Sequence, residues 1–266
     1  MLKMLKVIIW EERSLKMAGI TVENIKIPHG TIKLKGRLYR AGGEGRKPSA
    51  IICHGYPGDT KNMDLAEELA LNGYNVIVFY YAGAWGSEGT YRFSNLTPST
   101  RAALDWFMGQ PYVDTARVAL ISHSMGAIPL TNLMSVDDRV KTGVLMAPAS
   151  DTAPWLGEEV IGTLFTVFRT MSEGKLATGD DSEYKQDMIE AAKKLNPMDR
   201  VADIKAPIMV IVGSLDVVTK PDACKALYEK ATEPKKWVLL EGADHSFTEH
   251  RYPLHREILG WLKKEL

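Results

Sequence analysis

Ser122-His123-Ser124-Met125-Gly126-Ala127 follows directly on the apolar run of residues 118–121, and Ile128, Leu130, Leu133 and Met134 then recur at helical spacing. A β-branched run that ends in small residues and passes at once into a helix reads as strand, sharp turn, helix, with Ser124 at the turn. So tight a turn forces its central residue into a strained backbone conformation and holds the hydroxyl out beyond the strand. Strand and helix backbones pass close together there, so the residues two before and two after the serine must be small, as Ser122 and Gly126 are. The stretch fits G-x-S-x-G with Ser122 in place of the first glycine and Ala127 where a further glycine often follows. Ser122 brings a hydroxyl that needs a partner.

Working outward, strands alternate with helices. Residues 21–28 and 32–40 carry alternating apolar positions around His29-Gly30 and read as an antiparallel hairpin at a sheet edge. Residues 50–53 form a short continuous apolar strand, 62–72 a helix stopped by Gly73, and 75–81 the next strand. After the glycine-rich loop 82–89, Thr97-Pro98 is expected to cap a helix that runs to about Met108. Residues 117–121 deliver Ser124, and 140–147, 207–213 and 235–240 are further strands, with helices at 221–231 and 252–266. Such alternation specifies an α/β fold, a mostly parallel central sheet with helices on both faces.

The strand pattern stops between residues 150 and 196. Val160, Leu164, Val167, Phe168 and Met171 recur at helical spacing there, and Trp155, Ile161 and Phe165 widen the apolar surface beyond one stripe. The expected organisation is a core of residues 21–149 and 197–266 with a small helical cap insertion at 150–196. Helices packed simply on the main core are the alternative. Residues 1–20 are expected to be an N-terminal extension, because the apolar run 7–10 is too short for a secretory segment or a membrane span. A membrane-surface helix is the minor alternative for that segment, and Met17 is an alternative start.

Composition bounds the chemistry. The 266 residues are 45% hydrophobic and 25% charged, enough for one large domain with a buried core. Thirty-three basic residues balance thirty-three acidic ones, so no net field favours nucleic acid or an anionic membrane, and a small neutral substrate suits the balance. Cys53 falls in a strand pattern and Cys224 in a helical one, which makes neither a disulfide framework nor a metal-ligand cluster and points to a reducing, cytoplasmic compartment. His245, His250 and His255 with Glu249 are spaced off one helical face, so no metal is expected, and no cofactor is implied. Assembly into a homo-oligomer is compatible with all of this.

Ser124, Asp216 and His245 fall at the carboxyl ends of successive core elements, where ligand sites in open α/β sheets lie. With His54-Gly55-Tyr56-Pro57-Gly58, Gly83-Ala84-Trp85-Gly86-Ser87-Glu88-Gly89, Gly213-Ser214-Leu215-Asp216 and Gly242-Ala243-Asp244-His245-Ser246-Phe247, the chain resembles the α/β-hydrolase superfamily, in its esterase and prolyl-oligopeptidase-like group. The second segment departs from the usual R-G-x-G-x-S-x-G loop at Ala82 and Trp85. The resemblance implies a catalytic triad of Ser124 as nucleophile, His245 as base and Asp216 as orienting acid, with an oxyanion hole from the backbone amides of Tyr56 and Met125. Tyr56 could add its hydroxyl, but its ring lining the pocket is the simpler reading. Trp85, Trp155, Phe165 and Phe168 are candidates for an apolar pocket or for core. His54 is expected to brace its loop and His123 to pack. Asp244 is a poor rival to Asp216, since its neighbourhood to His245 in sequence does not bring its carboxylate behind the imidazole.

The function implied is a serine hydrolase that cleaves small or medium carboxylic esters through an acyl-enzyme. A peptidase or acyl-peptide hydrolase of short peptides uses the same triad and stands as the alternative, and an acyltransferase or a non-catalytic binding protein comes after it. A histidine base must be neutral, so activity is expected to fall on acidification.

Overall fold

The computed structural model describes residues 19–266. The alternative start at Met17 and all but the last two positions of the expected extension lie outside the described residues. A hairpin of β1 (Thr21–His29) and β2 (Ile32–Arg40) forms one edge of the sheet, and Gly30 turns it at a φ of +58°. β3 (Lys47–Cys53), β4 (Asn75–Phe79), β5 (Val113–His123), β6 (Thr142–Met146), β7 (Ile208–Gly213) and β8 (Lys235–Leu240) complete eight strands in the order β1-β2-β4-β3-β5-β6-β7-β8. β2 runs antiparallel to β4, and every pairing from β4 to β8 is parallel.

Continuous apolar runs suit these inner strands because both sheet faces are covered. Neighbouring residues of one strand feed different cores, as the period of two requires: Ile51, Leu120 and Val210 point to one side, Ile52, Ile121 and Ile211 to the other. α1 (Met63–Leu71) and α7 (Arg251–Glu265) close the second side with Leu65, Leu69, Ile258 and Leu262. α2 (Leu96–Met108), α3 (Ala127–Met134) and α6 (Pro221–Lys230) close the first with Leu104, Phe107, Leu130, Leu133 and Leu227. Between β6 and β7 stand α4 (Glu158–Ser172) and α5 (Asp181–Lys194). The Asp180 carboxylate caps α5 by accepting from the amides of Ser182 and Glu183.

One expectation is corrected. Thr97 is not the N-cap of α2, because residues Phe93–Asn95 already form a 3-10 turn that runs into the helix at Leu96. Asp187 of α5 takes over the capping task, its carboxylate accepting from the Phe93 amide at 2.6 Å. Pro98 stays within the first turn, where a missing amide proton costs nothing. Among the described residues no helix is long and apolar enough to cross a membrane.

Candidate active site

β5 ends at His123, and Ser124 follows with a φ of +52°, a left-handed conformation that costs a non-glycine residue of order 1 kcal/mol. Ser122 is fully buried, and its hydroxyl finds its partner by donating to the Val144 carbonyl at 3.3 Å. Gly126 has an ordinary φ of −59°, so glycine stands there for space rather than conformation. A Cβ on it would overlap the Cys53 carbonyl oxygen and lie 3.1 Å from that of His54. A Cβ on Gly55 would lie 3.0 Å from the Ser124 Cβ. The loop after β3 is thereby pressed against the serine turn. Among the described residues, neither the Tyr56 amide nor the Met125 amide donates a hydrogen bond within the protein.

Asp216 follows β7 with a completely buried side chain. Its Oδ1 accepts from the amides of Val218 and Thr219, each at 2.8 Å. Its Oδ2 accepts from His245 Nδ1 at 2.8 Å and from the Thr219 hydroxyl at 2.8 Å. Burial alone would raise this carboxyl, but the bonds from His245 and the Thr219 amide outweigh it and hold the group below the usual carboxylate range. Asp244 is occupied elsewhere, accepting from the Thr248 amide and hydroxyl at 2.8 Å each.

His245 is gripped from a second side. His123 Nε2 meets the His245 carbonyl at 2.9 Å, and the two rings lie 5.0 Å apart. That carbonyl can only accept, so Nε2 carries the proton and Nδ1 of His123 is left as a buried atom without a partner. The hydrogen bonds of the described residues join His245 to Asp216 and do not join it to the Ser124 hydroxyl. Such bonds are often long without substrate and tighten in the reactive complex. Residues 147–149 connect the two halves, the Ala149 amide donating to the Ser124 carbonyl at 3.0 Å and the Thr219 hydroxyl lying 3.0 Å from the Ala147 carbonyl.

Two buried histidines brace this region in their neutral form. His54 bonds through Nδ1 to the Gly55 carbonyl at 2.7 Å, and burial lowers its pKa to about 4. Burial, joined by the neighbouring His245 ring, lowers that of His123 to about 4 as well. In the unfolded chain both titrate from 6.5. Between these limits the unfolded state binds more protons than the native one, so stability is complete above about pH 6.5 and declines as pH falls toward 4. The urea midpoint is therefore expected to drop from pH 7.5 to pH 5, with proton uptake on unfolding in that window. A midpoint independent of pH there would contradict the neutral assignment.

The aromatic candidates separate into two groups. Trp155, Phe165 and Phe168 join a cluster with Tyr56, Tyr91, Phe93 and Tyr184, in which the Tyr56 and Phe168 rings are 4.5 Å apart, Trp155 and Phe168 5.8 Å, and Phe165 and Tyr184 6.1 Å. The Tyr56 hydroxyl donates to the Phe168 carbonyl at 2.6 Å and accepts from the Tyr184 hydroxyl at 2.9 Å. Its one proton is thus committed to α4, and it has none left for an oxyanion. Trp85 does not join the cluster. Positive φ angles at Gly83, Trp85 and Gly86 turn its loop so that the indole donates to the Pro57 carbonyl at 2.8 Å, with the Lys61 ammonium 3.1 Å from the ring centre. The same loop is stitched to the segment after α4, the Trp85 amide donating to the Lys175 carbonyl at 2.8 Å and the Ala177 amide to the Gly83 carbonyl at 2.7 Å.

Sequence reasoning missed Thr219, Tyr91, Phe93 and Tyr184. Tyr91 and Phe93 stand directly after the glycine-rich loop, and Thr219 stands three residues beyond Asp216, where an Asx-type turn returns to its own carboxylate. Those were readable signals. Tyr184 had none, since it is isolated in a charged helix.

Residues 80–266 match the prolyl oligopeptidase family. An uncharacterized protein of Mycobacterium tuberculosis (strain CDC 1551 / Oshkosh) is 28% identical over 209 residues, which are 78% of this chain. The match spans 66% of that relative's own length. Among solved structures, the α/β hydrolase GrgF from a Penicillium species superposes with a TM-score of 0.74 at 20% identity, covering 92% of this chain and 99% of its own. Est1E from Butyrivibrio proteoclasticus, with ferulic acid bound, gives 0.73 at 17% identity over 91% and 98%. The superpositions agree with the strand order and crossovers described above in giving an α/β-hydrolase fold, and since the family match extends over well more than half of its length, the chain belongs to the prolyl oligopeptidase family.

Proposed function

We propose that the protein hydrolyses small or medium carboxylic esters through an acyl-enzyme on Ser124. The observation that carries this reading is the buried Asp216 carboxylate hydrogen-bonded to His245 Nδ1, in loops at the same end of the sheet as the strained Ser124 turn. A proton on Nδ1 leaves Nε2 as the base. Ser124 Oγ attacks the acyl carbon while its proton passes to His245 Nε2, and the carbonyl π electrons move to oxygen. The free amides of Tyr56 and Met125 receive that oxyanion, and by precedent each such donor contributes roughly 3 kcal/mol. The acyl–oxygen bond then breaks and the alcohol leaves with the proton from His245. Water repeats the sequence and releases the acid, restoring Ser124.

The aromatic cluster of α4, α5 and the loop after β4 supports an apolar acyl or aryl group as the substrate part that faces it. In this reading residues 150–196 act as a cap held down by the Tyr56–Phe168 bond. A peptidase is the second reading, favoured by the family match itself. The test is a series of p-nitrophenyl esters of rising acyl length beside a peptide p-nitroanilide. Ester turnover far above anilide turnover is expected. Turnover of the anilide alone would replace the esterase reading with the peptidase one.

A further inference from the structure

The Thr219 hydroxyl stands at the junction of three groups: Asp216 Oδ2 at 2.8 Å, the Ala147 carbonyl at 3.0 Å and His245 Nδ1 at 3.2 Å. A hydroxyl has one proton and two lone pairs. The carboxylate and the carbonyl are pure acceptors, so the proton goes to one of them. A lone pair then faces Nδ1, and only an N–H on that atom satisfies it. Thr219 thereby makes the same demand on the imidazole as Asp216 does, and holds Nε2 unprotonated toward Ser124.

We propose that Thr219 is a positioning residue whose hydroxyl keeps Asp216 and His245 in register and switches acceptor as His245 gains charge. This rests on the ester-hydrolase reading. With His245 neutral, the hydroxyl donates to Asp216 Oδ2. When Nε2 takes the serine proton, the hydroxyl turns to the Ala147 carbonyl, and both Oδ2 and a Thr219 lone pair face the charged ring. The turn costs little, since both acceptors lie within hydrogen-bond reach. Ala147 directly follows β6 at a φ of +43°, and its amide donates to the Ile211 carbonyl at 2.8 Å, so the alternative acceptor is anchored to β7.

Other charged or titratable groups around His245 include His123 from β5, neutral down to about pH 4, Asp244 of its own loop, which is bonded to Thr248, and Arg251 of α7. Arg251 donates to the Ser246 carbonyl at 3.2 Å and is paired with Asp64 at 2.6 Å. Substitutions at Thr219 leave these groups in place, so a change in the acid limb that they cause reports the Asp216–His245–Thr219 unit.

The experiment compares wild type with Thr219→Val, Thr219→Ala and Thr219→Ser on one p-nitrophenyl ester, with kcat and KM measured across pH and melting curves for each. Thr219→Val and Thr219→Ala are expected to lower kcat about tenfold, the rate equivalent of one hydrogen bond to a charged group, with KM within about twofold. Their acid limb moves to lower pH, because the protonated ring loses an acceptor, and Thr219→Ser restores both readings. Wild-type kcat in Thr219→Val and Thr219→Ala, an acid limb that stays in place or moves upward, or a loss that serine does not restore would overturn the proposal. Ester turnover retained by Ser124→Ala would instead overturn the reading on which it rests, so the two failures are told apart.

Discussion

Ser124→Ala is expected to lower kcat/KM for p-nitrophenyl esters by a factor on the order of 10⁴ or more, while leaving the melting temperature within a few degrees of wild type. The rate falls because no other hydroxyl occupies the turn: Ser122 is fully buried and donates to Val144. What remains is the acceleration that the free amides and the binding surface give to attack by water. The fold survives because the left-handed φ of +52° is imposed by the surrounding strand and helix, and alanine tolerates it no worse than serine does. Steady-state kinetics and a thermal melt check both halves. A variant that kept a tenth of wild-type activity would remove Ser124 from the mechanism.

Gly126→Ala is expected to cost about 3 kcal/mol or more, or roughly 6–12 °C in melting temperature for a chain of this size, and to cut ester turnover about a hundredfold. The added methyl meets backbone, the carbonyls of Cys53 and His54, and backbone cannot rotate away as a side chain can. Relief requires α3 to move from β3, which carries the Met125 amide out of line with that of Tyr56. Gly162→Ala is the control, since a Cβ there in α4 meets nothing within 4 Å. In an open helical position alanine raises stability by about 0.5–1 kcal/mol. Equal melting temperatures for the two variants would contradict the close backbone crossing.

Much of the fold was legible because its signals are local. The apolar runs of β3 and β5 to β7 have the continuity and length that doubly covered strands need, and the strand–turn–helix at Ser124 follows from small residues at defined offsets. The start of α2 was misread at Thr97 for a non-local reason, since its capping acceptor, Asp187, comes from a helix more than ninety residues later. Trp85 is a pocket candidate beside Trp155, Phe165 and Phe168, and the direction of its side chain is set by backbone angles in a glycine-rich loop, which periodicity does not report. The Tyr56–Tyr184–Phe168 chain and the Thr219 junction are tertiary likewise. Each links segments whose proximity only the folded sheet creates.

The most direct test of the account is the intact mass of the protein after reaction with a fluorophosphonate, followed by digestion with trypsin. The account predicts one adduct per chain, carried on the peptide of residues 118–139 at Ser124, and no adduct in Ser124→Ala. Wild type that stays unlabelled, or an adduct at another serine, would contradict it.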